Sequence, residues 1–116
     1  MQSISLNTET MDWIPGSPFY GPGAIFEGKE SVQLKILSDR RREGGGIAWL
    51  VRMMPPEGKV IRIVAVALSD EHIFNLEGGR STKAGETLRF SGQYGLNPTG
   101  KPHSALIATD TTALVI

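Results

Sequence analysis

The chain contains no cysteine, which removes disulfides, thiolate nucleophiles and zinc-thiolate centres from its possible chemistry. It also lacks a charge bias, since twelve basic residues balance twelve acidic ones. Such a balance gives no general attraction to phosphate backbones or anionic bilayers, so neither nucleic acid nor membrane is an expected partner. Nowhere does an apolar run reach the roughly 18 residues of a membrane-spanning helix. Residues 1–13 are polar and show no basic stretch leading into an apolar one. A soluble cytoplasmic protein is the expectation. Helical periodicity is missing as well, and no segment reads as a helix.

What is present suits β-structure. A chain of 116 residues encloses one hydrophobic core, and 40% apolar with 21% charged residues is ordinary usage for a folded domain. Fourteen glycines and seven prolines cut the sequence into short runs separated by turns. Residues 1–30 carry Trp13, Ile14, Phe19 and Tyr20 among three prolines (Pro15, Pro18, Pro22) and glycines, and read as an extended arm that packs on a barrel formed by residues 31–116.

Residues 31–37 alternate apolar Val32, Leu34 and Ile36 with polar Gln33 and Lys35, the period of a strand with one buried face. Residues 39–46 join Arg40, Arg41 and Arg42 to three glycines. With Asp39 and Glu43 beside them, the arginines read as a solvated loop tip rather than a phosphate clamp. Further strands are expected over 47–54, 60–68, 71–77, 87–90, 104–108 and 112–116, with a turn-rich stretch over 92–102. At least seven short strands at this spacing indicate an all-β sandwich or small barrel. Residues 60–68 are apolar on both parities except at Arg62, so both faces of that strand need cover, and a homodimer is expected to supply it.

The second half of the chain carries two spaced motifs. Gly92, Pro98, Gly100 and His103 follow the spacing of the second cupin motif, with Ile107 where asparagine is common. Gly58, Glu71 and Gly78 follow the first motif, and Val64 and Val66 stand at its two histidine places. Trp13-Ile14-Pro15 and the Leu50 to Met53 segment before a Pro-Gly turn look like small cupins related to acetylacetone-cleaving enzymes and to the cupin half of certain anti-sigma factors. The resemblance implies a double-stranded β-helix, the jelly roll of the cupin barrel, with an interior pocket. In metal-bearing members the two histidines, the glutamate and the second-motif histidine hold one transition metal. Valine offers no donor, and Glu71 with His103 alone falls short of the three or four protein ligands such sites have. No metal and no cofactor are therefore expected.

On this alignment Arg62, Val64, Val66, Glu71, Ile73, Asn75 and His103 share the inner face, with Ile61, Ile63 and Ala65 outside and His72 on the outer face. Tyr94 reaches this pocket only if its loop folds over the mouth. The leading expectation is a cupin that binds a small, largely apolar molecule in its barrel, held at one end by Arg62 and His103. A metal-free acid-base enzyme using His103 and Glu71, similar to sugar epimerases of the fold, is the alternative. A dioxygenase-like cupin with an atypical ligand set is the third.

Overall fold

A computed structural model describes residues 3–80 and 91–116. Among the described residues ten strands are present: β1 (Ile14–Pro15), β2 (Ile25–Phe26), β3 (Lys29–Glu30), β4 (Val32–Asp39), β5 (Ile47–Met53), β6 (Ile61–Val66), β7 (Glu71–Glu77), β8 (Tyr94–Asn97), β9 (Pro102–Ile107) and β10 (Thr111–Val115). Six of them form one antiparallel sheet in the order β1-β4-β5-β10-β7-β8, and β6 pairs with β9 in a second. The inner faces of these sheets supply the core. Val32, Leu34, Val51 and Val115 from the large sheet meet Ile61 and Ile107 from the small one, all nearly free of solvent. Burial of each such side chain contributes about 1.5–3 kcal/mol. The result is an all-β jelly roll.

The first thirty residues depart from a wholly extended arm. A single helical turn, α1 (Ser17–Tyr20), stands between Gly16 and Gly21, started by Pro18 and ended by Gly21 at φ 82. Behind it β2 and β3 form a hairpin whose two loop residues, Glu27 and Gly28, both have positive φ, as a tight two-residue turn requires. Phe19 packs against Trp49 with ring centroids 6.2 Å apart. Ala24 is fully buried in the core. Trp13 lies on the opposite, outer face of the large sheet, beneath Lys35 and Arg52, whose charged heads sit 4.6 Å and 4.4 Å from its ring.

Two further differences from the sequence reading concern the later strands. Strand β8 lies inside the stretch expected to be turns, where Tyr94 and Leu96 alternate with Gly95 and Asn97. The strand expected over 87–90 lies outside the described residues. The arginine-rich loop behaves as expected: Arg41 donates to both oxygens of Asp39 at 2.8 Å and 2.6 Å, and Arg40 pairs with Glu43. The hydrogen bonds from Arg41 hold the exposed Asp39 carboxyl down to about 2.

Candidate functional site

Between the sheets lies a cavity of about 90 Å³. Its apolar wall includes Val51, Met53, Ile63, Ile73, Ile107 and Val115, and its polar wall Tyr20, Glu71, Asn75, Arg80, Asn97 and His103. Strand parity places these groups. In β7, Glu71, Ile73 and Asn75 point inward while His72, Phe74 and Leu76 point out. Asn97 of β8 is the cross-strand partner of Glu71, and its Nδ2 donates to Glu71 Oε1 at 3.1 Å. From the small sheet His103 enters at the start of β9, its Nε2 3.8 Å from the same carboxylate oxygen. The two chemistry-bearing residues singled out by the motifs are thus brought together.

Strand β6 has the parity opposite to the one expected. Ile61 and Ile63 are buried, whereas Arg62 is exposed and Val64 and Val66 are 63% and 52% exposed. Arg62 therefore cannot hold a ligand inside the barrel, and the two valines do not line the cavity. Water is the cheaper place for a guanidinium without a partner, and Arg62 shares its parity with Val64 and Val66, so keeping it out turns both valines out with it. Tyr94 is also outside the cavity. It stands opposite Phe74 on the outer face, ring centroids 5.0 Å apart, with its hydroxyl 2.7 Å from His72 Nδ1. His72 faces outward, as expected.

Three residues of the polar wall, Tyr20, Arg80 and Asn97, were missed by the sequence reading. Tyr20 reaches in from α1, and its hydroxyl accepts a hydrogen bond from Trp49 Nε1 at 3.0 Å. Burial pushes the phenol's pKa well above its ordinary value and so keeps it protonated. The aromatic cluster in the first segment was its only signal. Arg80 follows Gly78, where φ is +69 and a Cβ would fall 2.1 Å from Asp110 O, so only glycine allows this close approach to the end of β10. Gly79 N then donates to Thr111 Oγ1, and Arg80 Nη2 to Ser104 O at 3.1 Å, which fixes the guanidinium against the cavity. Asn97 was hidden in the supposed turn. Asn75 Nδ2, Arg80 Nε and His103 Nδ1 are buried and have no partner among the described residues. Each such group costs about 1–3 kcal/mol when left unpaired.

The donors present do not fit the metal site of the cupin motifs. Among the described residues no three histidine, aspartate or glutamate side chains gather at one point. The inward positions of β6 beside His103 are Ala65, its partner in the ladder, and Ile63, which carry no donor atom.

No family model and no curated protein sequence matches the chain. Solved structures do. A candidate acetylacetone dioxygenase of Methylibium petroleiphilum superposes with a TM-score of 0.71 at 13% identity, over 99% of this chain and 76% of that one. An RmlC-like cupin of Ralstonia eutropha gives 0.68 at 14% identity, over 100% and 69%. An acetylacetone dioxygenase of Acinetobacter johnsonii gives 0.64 at 10%, over 99% and 72%. Likeness at this identity speaks for the fold alone. The jelly roll, its interior cavity and these superpositions agree: the chain is a small protein of the cupin fold.

Proposed function

We propose that this cupin binds a small, largely apolar molecule in its barrel without the usual metal. The observation that carries the reading is the cavity itself. Its wall is mostly aliphatic, and among its few polar groups Glu71 and His103 stand 3.8 Å apart. Concave sites of this composition draw affinity from buried apolar area and orientation from a few polar atoms. Arg62 has no part in this account. A thermal-shift screen of small apolar molecules, run on the native protein and on Ala105→Leu, tests it. Ala105 faces inward from β9, so leucine there fills the cavity. Ligands should raise the melting temperature of the native protein and leave the filled variant unmoved. Equal shifts in both would contradict the proposal.

One observation favours an acid-base enzyme as the second reading. The 3.8 Å between His103 Nε2 and Glu71 Oε1 leaves the imidazole and carboxylate close enough to exchange roles around a bound molecule, and the protonated Tyr20 stands on the same wall. In that case Glu71 or His103 takes a proton from the ligand and Tyr20 donates to it. Deuterium exchange into a bound ligand, lost in His103→Gln, separates catalysis from binding.

A further inference from the structure

We propose that the cavity's ligand is a short-chain carboxylate, an inference that rests on the small-molecule reading above and names its ligand class. The polar wall is rich in donors and poor in acceptors. Asn75 Nδ2 and Arg80 Nε are buried without partners among the described residues, and amide and guanidinium nitrogens only donate. His103 Nδ1 is equally unpartnered and donates whenever it carries the ring proton. Tyr20 adds a fourth donor. An indole only donates, so the phenol is the acceptor in its bond with Trp49 and its own proton is left for another acceptor.

Against these donors the described wall sets one carboxylate, Glu71, and one of its oxygens already accepts from Asn97. Arg80 has no ion pair among the described residues. A ligand carboxylate supplies what is missing: two oxygens with about four acceptor sites, and the charge that a guanidinium matches best. The hydrocarbon end then lies among Val51, Met53, Ile63, Ile107 and Val115. Size limits its length. A cavity of about 90 Å³ is smaller than the roughly 150 Å³ that admits benzene, so the acid has only a few carbons.

The test is a titration of the full chain with acetate, propionate and butyrate, and with propionamide and 1-propanol as neutral counterparts, followed by calorimetry and by NMR shifts of the interior methyl groups. Propionate or butyrate should bind more tightly than either neutral compound. Arg80→Gln should weaken the acid about tenfold, as expected for loss of one charge-assisted hydrogen bond, and leave propanol unchanged. Asn75→Asp, which sets a carboxylate where the ligand's would lie, should abolish acid binding while the neutral compounds still enter. If acids and neutral compounds bind equally and both variants are silent, the carboxylate assignment fails and the pocket stands. If no compound perturbs the interior methyls, the pocket itself is overturned.

Discussion

His103 stands directly opposite Ala65 in the antiparallel ladder of β6 and β9. Cross-strand partners share a face, so an inward His103 carries Ala65 inward, and the period of two brings Ile63 and Ile61 with it. The same pairing puts Val64 opposite Ser104 and Val66 opposite Pro102, both on the outside. One pair thus sets the whole orientation of the small sheet.

A metal graft follows from that pairing. Ile63→His with Ala65→His adds two imidazoles beside Glu71 and His103, which completes a four-donor set. The double variant should take up about one divalent transition metal per chain, counted by elemental analysis after dialysis. Val64→His with Val66→His, on the solvent side, should gain no such stoichiometric site. Uptake by the second pair and not the first would reverse the assigned parity.

Tyr20 links stability to alkaline pH. Its burial raises the folded pKa above the unfolded value near 10, so the unfolded chain loses its proton first. The stabilising contribution is complete below pH 10 and is lost as pH rises toward the folded value. Urea unfolding of the native protein should therefore weaken above pH 10, and Tyr20→Phe should lack that component. The substitution also strips Trp49 Nε1 of its acceptor, at a cost of about 1–2 kcal/mol at neutral pH.

Much of this architecture is visible in the sequence, and what is hidden has physical causes. The alternation of Val32, Leu34 and Ile36 identifies β4 because one face of that strand is buried and the other is not. Glu71 and His103 fall into the cavity because motif spacing fixes where each strand begins. In β6 the pattern is ambiguous, since isoleucines and valines occupy both parities and hydrophobicity cannot choose between them. Arg62 held the answer, as the one residue of the strand too costly to bury. Tyr20 and Arg80 reach the cavity through contacts remote in sequence, Trp49 and Ser104, which no local pattern encodes.

The loop before β9 depends on Asp70. Its Oδ1 accepts from both the backbone N and the hydroxyl of Thr99, each at 2.9 Å, and these bonds hold the carboxyl below its ordinary value of 3.8. The pinning contribution is present above that ordinary value and is lost as pH falls through the lowered folded one. The Thr99 amide should keep its hydrogen-exchange protection at pH 5 and lose it progressively below about pH 4. In Asp70→Ala the amide should exchange quickly at every pH.

A homodimer remains our proposal, with a revised surface. Ile61, Ile63 and Ala65, which the sequence pattern puts on the outside, face the interior. Apolar side chains are exposed on the outward parity of β6, at Val64 and Val66, and on the outer face of β7 and of β8, an edge strand among the described residues, where Phe74, Leu76, Tyr94 and Leu96 are each 41% to 53% exposed. Light scattering should return twice the 12.6 kDa chain mass, and Leu76→Glu with Leu96→Glu should return the single mass with the fold retained. A native protein that scatters as one chain at tens of micromolar would rule the dimer out.

The central claim is that the interior of the barrel is a ligand site built without a complete set of metal donors. Methyl-resolved NMR of the native protein, stripped by chelator and titrated with small apolar molecules and short acids, tests it most directly. The account predicts saturable shifts in the methyls of Val51, Ile63, Ile73, Ile107 and Val115, and none in the outward Val64 and Val66. Shifts confined to Val64 and Val66, or binding that appears only when a transition metal is restored, would contradict it.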